Sequence, residues 1–452
     1  MKKRPLQPID FIFLNLERKH QPMHLAGLLV FDLPEHADAY FIAEVVTAYL
    51  SGKYPVEAPF NEFLSGLSWQ RDEQIDISQH FQHIQLQQAT LQDVTQYVSQ
   101  LHSQPLERDK PMWHCTLIEG LQHRQFAIYL KVHHAKLDGI AGMRVISRSL
   151  SRNEQDSEIV PLWSKRPQSI SHKNGQQTKK TIQRQHSFIR QLGQFIQSSR
   201  KVLGRVLENI QQRHQAEHYS TFDTPKSILN QKITAQRTFA VQSYDLERIR
   251  CVAKHFNLTM NDMILVLSAT ALRHYLLEQN QLPSKPLSAF VPVSIRSDDT
   301  SLSNHFSFVL ANLATHLADP IQRLQQIKAS MDYAKSRFQA MSGAEILAYT
   351  ALVYAIPSLQ IFSGLTPTIQ PFNLVISSVI TSKEPLYLNG ARLAGLYPAS
   401  VLFHGQALNL TMASYCNRLD LGLTANAETL AQVEKILDYF AQGLDEYEQL
   451  SI

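Results

Sequence analysis

The chain has 452 residues, 44% of them hydrophobic and 18% charged, with a formal charge of +4. That length exceeds one ordinary core and points to two domains, and so modest a charge gives no reason to invoke nucleic acid. Three widely spaced cysteines, Cys115, Cys251 and Cys416, make no disulfide framework and fit a reducing cytoplasm. The basic opening Met1-Lys2-Lys3-Arg4 is followed by an apolar run broken at Pro8, Asp10 and Glu17, which argues against a signal peptide. No run of about 18 apolar residues occurs, so any membrane contact is expected to be peripheral.

In chain order, Leu25 to Phe31 reads as a strand and Tyr40 to Leu50 as a helix. Leu91 to Ser103 reads as a helix, and Trp113 to Glu119 and Phe126 to Val132 as strands. Between Lys165 and Arg213 lie eleven Lys or Arg and one acid, Glu208. That stretch opens as a Ser-, Gln- and Gly-rich linker. It continues with apolar residues at helical spacing (Phe188, Leu192, Phe195, Val202, Val206) among Arg184, Arg190, Arg200, Lys201 and Arg205. Such a basic amphipathic helix suits a connector that also touches anionic lipid, or one packed on the protein with a solvated basic face. Tyr244 to Lys254, Met260 to Leu277 and Glu428 to Tyr447 read as helices. Leu287 to Val293, Leu374 to Ile380 and Leu408 to Ser414 read as strands. Mixed strands and helices throughout indicate an α/β fold in two layered domains. The expected boundaries are 1–165, a basic connector over 166–222, and 223–452.

One motif carries chemistry: His133-His134-Ala135-Lys136-Leu137-Asp138-Gly139, between the strand ending at Val132 and the amphipathic stretch Ile140 to Leu150. A neutral imidazole is well suited to take a hydroxyl proton near pH 7. The second histidine, His134, is the expected base, with His133 in support. Asp138, just before a helix, can cap its amides. Gly139 permits close approach of backbone and substrate. Metal ligation is the alternative, but adjacent histidines on an extended loop diverge, and no third ligand motif is present; no metal is expected.

The motif resembles that of acyltransferases using coenzyme A or carrier thioesters, and the resemblance extends along the chain. Pro5-Leu6-Gln7-Pro8-Ile9-Asp10, Phe13-Leu14, Glu17 and Pro22-Met23-His24 look like the opening of the bacterial wax ester synthase/diacylglycerol acyltransferase family. Pro111-Met112-Trp113, Asn261-Asp262, Val291 to Arg296, Glu384 to Tyr387 and Gly405 to Asn409 follow in order. The resemblance implies the two-domain fold of coenzyme A-dependent acyltransferases, like chloramphenicol acetyltransferase, with the histidine loop in a tunnel between domains. It implies transfer of a long-chain acyl group from acyl-coenzyme A, a co-substrate rather than a bound cofactor, to a fatty alcohol or diacylglycerol. It implies a cytoplasmic protein peripheral to an anionic inner membrane or lipid droplet. It places Asn261 at the reaction centre, where it would orient substrate or the oxyanion, and makes Arg296 the partner of Asp138. Where the family usually has Ser-Asn-Val-Pro-Gly-Pro, this chain has Ser377-Ser378-Val379-Ile380-Thr381-Ser382, which puts Ser378 in the place of an amide, where its hydroxyl can still orient substrate or donate to the oxyanion, but with different reach. His404 stands where an acid is usual. The rivals are a carrier-dependent condensation-type transferase and a lipid-binding protein on a degenerate transferase scaffold.

Overall fold

The structure is a computed structural model and describes residues 3–166, 224–294, 306–339 and 370–451. The connector helix expected over about 181–213 and Arg296 lie outside the described residues.

Two six-stranded mixed sheets form the body. The first takes β2 (His24–Asp32), β5 (Phe81–Ala89), β6 (Trp113–Leu121) and β7 (Gln125–His133), in the order β2-β7-β6-β5. Two strands from late in the chain, β12 (Tyr387–Leu388) and β13 (Ala391–Ala399), extend it beyond β2. The stretch 223–452 therefore supplies two strands of the sheet built by the first 165 residues. The second sheet runs β10-β9-β11-β14-β15-β8, from β8 (Arg237–Asp245), β9 (Ser288–Ser294), β10 (Phe306–Asn312), β11 (Leu374–Ile380), β14 (Leu408–Tyr415) and β15 (Arg418–Asn426). A three-stranded sheet is made by β1 (Lys3–Pro5), β3 (Glu62–Ser65) and β4 (Ser68–Arg71).

Burial explains the strand sequences. β7 is buried from Phe126 through His133, and it reads as a nearly continuous apolar run because both faces are covered. The helix Met260–Glu278 (α6, following α1 Pro8–Leu16, α2 Phe41–Leu50, α3 Leu91–Ser103, α4 Gly139–Ser149 and α5 Leu246–His255) is mostly apolar and buried on all sides over its first three turns. Asp262 through Leu272 are buried without a break, as expected of a core helix. It packs on the second sheet with α8 (Lys435–Gln449), which follows α7 (Pro320–Gln339). Where β15 crosses β13, a Cβ on Gly422 would stand 1.8 Å from the Pro398 carbonyl, so only glycine lets the strands approach. At that crossing buried Asp420 accepts the Leu396 N–H at 2.8 Å, which joins the two sheets. Among the described residues no helix is long and apolar enough to cross a membrane.

Candidate active site

The histidine loop leaves the end of β7 and is tied down on both sides. The His133 amide donates to the Met112 carbonyl at 3.0 Å, and the His134 amide to the Met23 carbonyl at 2.7 Å. His133 is fully buried. Its Nδ1 accepts the Ala135 N–H at 3.1 Å, so the ring proton sits on Nε2, which stands 3.5 Å from Glu17 Oε1. Glu17 also accepts the Met23 N–H at 3.2 Å and Arg108 Nε at 2.8 Å. Burial raises the Glu17 carboxyl, but His133, Met23 and Arg108 together outweigh it and leave its pKa below the usual value. These contacts make His133 a structural post.

Lys136 folds back in the same way. Its ammonium donates to Glu62 Oε2 at 2.9 Å and lies 3.7 Å from the centre of the Trp69 ring. Burial pushes it down to about 8 against the pull of Glu62. The loop is thus anchored by residues 133 and 136, with His134 between them.

His134 has no such hydrogen-bonded anchor. The Phe13 ring, from α1, stacks on it with centroids 3.9 Å apart and planes 11° from parallel. Nδ1 is buried and makes no hydrogen bond, so packing, not a carboxylate, sets the ring orientation. Burial lowers its pKa to about 4 and His133 adds to the effect, while its own carbonyl and Asp138 oppose it. The imidazole is therefore neutral at pH 7, with Nδ1 toward the buried side, which leaves Nε2 for a substrate.

Asp138 is exposed and caps α4: its carboxylate accepts the Ala141 N–H at 2.7 Å. Gly139 opens the helix, and a Cβ there would meet only Val379 Cγ1, at 4.0 Å. No protein atom requires glycine at 139; what it leaves is space facing β11. Thr381 Oγ1 touches Met143 Sδ at 3.3 Å, so the altered segment of the second sheet borders the helix behind the histidine loop.

β11 itself is splayed. It pairs with β14 from Val375 through Ile380, but with β9 only at Leu374 and Val375. Among the described residues its other edge is unpaired beyond that point. On it, Ser378 Oγ donates to Asn261 Oδ1 at 3.3 Å. The two residues expected to orient substrate or the oxyanion therefore meet. Asn261 is placed by the start of α6, where Thr259 Oγ1 accepts the Asp262 N–H at 3.2 Å and buried Asp262 pairs with Lys335 at 2.9 Å. In the adjacent pair, then, Asp262 is structural.

Sequence reasoning did not single out Phe13, Glu17 or the Lys136–Glu62 pair. Phe13 and Glu17 were visible only as pieces of the opening motif; an apolar residue three positions after an inward Asp10 on one helix was the available signal. His404 is buried, donates its amide to Gln21 Oε1 at 2.8 Å and accepts the Ile233 N–H at 3.3 Å; it ties the two halves of the chain together. Beneath the loop lies another buried basic group. His24 Nε2 is 2.9 Å from the His102 carbonyl, and Lys131 donates to the carbonyls of Leu101 and Gln104 at 2.8 and 2.9 Å, at the end of α3. Among the described residues no three His, Cys, Asp or Glu side chains gather as a metal site requires.

Comparison with known proteins shows the family and the fold. The wax ester synthase/diacylglycerol acyltransferase catalytic domain matches residues 6–264, and the C-terminal domain of that family matches 302–448. The O-acyltransferase WSD of Acinetobacter baylyi is 43% identical, covering 98% of this chain and 97% of its own. The solved wax ester synthase/diacylglycerol acyltransferase from Marinobacter aquaeolei VT8 superposes with a TM-score of 0.80 at 37% identity, over 99% of each chain. The first condensation domain of the CDA synthetase shares the fold alone, with a TM-score of 0.58 at 13% identity over 100% of this chain and 96% of that one. Matched in sequence over its whole length and in fold around the histidine loop, the chain belongs to the wax ester synthase/diacylglycerol acyltransferase family.

Proposed function

We propose that this O-acyltransferase moves a long-chain acyl group from acyl-coenzyme A to the hydroxyl of a fatty alcohol or a diacylglycerol, with His134 as general base. Acyl transfer to an alcohol or diacylglycerol is the activity its family membership gives; the base and its helpers are our reading. What carries it is His134 itself, a neutral imidazole held by Phe13 with Nδ1 buried and Nε2 unclaimed.

In this mechanism Nε2 takes the hydroxyl proton while the oxygen attacks the thioester carbonyl. The tetrahedral oxyanion is met by the Asn261 amide, which Ser378 orients. The carbon–sulfur bond then breaks, the carbonyl re-forms as an ester, and the imidazolium returns the proton to the departing thiolate. No acyl-enzyme is needed. Asp138 acts through the loop as the cap of α4, and we retain its pairing with Arg296 as part of the proposal. Gly139 keeps the floor beside Val379 open for substrate. The protein works in the cytoplasm at an anionic inner membrane or lipid-droplet surface, with the connector's basic residues contributing attraction. Purified protein given acyl-coenzyme A with either a long-chain alcohol or a diacylglycerol tests this reading. Ester and free coenzyme A are expected in equal amounts; absence of ester with both acceptors would refute it.

A further inference from the structure

The outer side of α1 is unusually apolar for a solvent face, with Asn15 its one exposed polar side chain among the described residues. Asp10, Phe13 and Leu14 point inward: Asp10 accepts Trp69 Nε1 at 2.8 Å, Phe13 covers His134, and Leu14 is buried. The opposite arc exposes Ile9 (51%), Phe11 (49%) and Ile12 (37%). A surface helix normally turns polar residues outward. Beside it, the β3–β4 turn presents Leu67, 74% exposed, and the Leu6 amide donates to the Leu67 carbonyl at 3.1 Å. Three large apolar side chains thus lie on the outer arc of α1, and a fourth stands on the turn bonded to the residues that lead into it.

The charges around this face are one-sided. Lys3, Arg4, Arg18 and Lys19 are exposed. The two acids of the same segment, Asp10 and Glu17, have buried side chains that face inward, to Trp69 and to Arg108 and His133, and of the four cations Arg4 is partly engaged, 3.4 Å from Glu62 and 3.8 Å from Asp10. The exposed side of residues 3–20 therefore offers apolar residues and cations. That is the chemistry of an interfacial helix on an anionic lipid surface. A second copy of the chain would bring a matching basic rim and be repelled.

We propose that α1 and the β3–β4 turn dock the protein onto an anionic lipid surface, with Ile9, Phe11, Ile12 and Leu67 entering the headgroup region. The inference rests on the proposed acyl transfer to lipid-borne alcohols and names the element that meets the lipid. Because Phe13 on the inner face of the same helix covers His134, docking here brings the base next to the lipid from which substrate arrives.

The test compares the full-length wild type with a variant carrying Ile9→Ser, Phe11→Ser, Ile12→Ser and Leu67→Ser. Co-sedimentation uses phosphatidylglycerol/phosphatidylcholine vesicles and phosphatidylcholine vesicles. The wild type is expected to prefer the anionic vesicles, and the variant to bind them about tenfold or more weakly. Turnover of a short, water-soluble acyl-coenzyme A and alcohol is expected to stay within about twofold, whereas turnover of a vesicle-borne long alcohol falls in step with binding. Equal vesicle binding by the two proteins would overturn the proposal. So would full loss of binding on replacing only the five connector cations (Arg184, Arg190, Arg200, Lys201, Arg205) by Gln. A wild-type dimer that the four substitutions dissociate, without vesicle binding, would overturn it in favour of a second copy. Vesicle binding is read without turnover, so failure of the acyl-transfer reading leaves this result separately legible.

Discussion

The two sides of the site are built to different standards. On the first sheet, the histidine loop is bonded at residues 133, 134 and 136, the side chains of His133 and Lys136 are buried, and its one unbonded ring is clamped by Phe13. On the second, β11 has left β9, Ser378 is exposed, and a single 3.3 Å hydrogen bond joins it to Asn261. Proton transfer is sensitive to small displacements, so the rigid side is where the base belongs. Recognition of long, flexible acyl chains tolerates a looser wall, and apolar walls discriminate single methylenes weakly.

The two histidines are expected to differ most. His134→Ala is expected to lower turnover about 100- to 10,000-fold with the fold intact. His133→Ala leaves Glu17 buried beside Arg108 without its imidazole, and is expected to lower the melting temperature more than turnover. Steady-state kinetics with thermal melts of both variants check this. A folded His134→Ala protein with near-wild-type turnover, chemistry being rate-limiting, would remove His134 from the mechanism.

Phe13→Ala tests what holds the rigid side in place. Losing the stacked ring frees the imidazole and lets water reach it. Turnover is expected to fall about tenfold, with KM little changed. The acid limb of the pH–rate profile should move up from about 4 toward the ordinary histidine value, because burial is what holds His134 low. Phe13→Trp, which can still stack, should recover most of the rate. An unmoved acid limb would mean that Phe13 does not set the environment of the base.

Most of the rigid side was legible in the sequence, and most of the loose side was not. Phe126 to Val132 announced a buried strand by its unbroken apolar run, and the observed β7 extends that reading by one residue at each end. The helix read over Leu91 to Ser103 is observed with those bounds, fixed at its start by the Thr90–Asp93 capping box. The closing helix read from Glu428 begins at Lys435 instead, since Glu428 to Glu434 form turns before it. What pattern could not reveal was long-range: that β12 and β13 join the first sheet, or that Phe13 lands on His134 from 121 positions away. Hydrophobic period fixes which face of an element is buried, not against what.

The buried imidazoles also predict an acid response. Burial lowers His134 and His114 to about 4 and His102 to about 3, and holds His24 well below the ordinary value. Below about 6.5 the unfolded chain takes up protons that the folded one refuses, so stability falls as pH falls. Each such group contributes up to about 1.4 kcal/mol per pH unit until its folded pKa is reached. Melting temperature is expected to drop steadily from pH 6.5 to 4. Replacing His102 by Gln should flatten that slope, and an unchanged slope would mean His102 is not among its sources.

The smallest expected effect decides what the loose side does. Ser378 donates its hydroxyl to Asn261 Oδ1, which turns the amide so that its NH2 group faces elsewhere and is available to a substrate oxygen. In that arrangement Ser378 orients and Asn261 donates. Ser378→Ala then removes one exposed hydrogen bond, worth about 1 kcal/mol or less, and is expected to lower kcat/KM about fivefold at most. Asn261→Ala removes the donor and should cost more, with the double variant no worse than Asn261→Ala alone, because Ser378 works only through the amide. Were Ser378 itself the oxyanion donor, its loss would instead cost about 100- to 1,000-fold in kcat. A double-mutant cycle on kcat and kcat/KM separates the two. A fall of that size from Ser378→Ala, independent of Asn261, would show that a hydroxyl has taken over the amide's chemistry and that the splayed end of β11 is as exacting as the histidine loop.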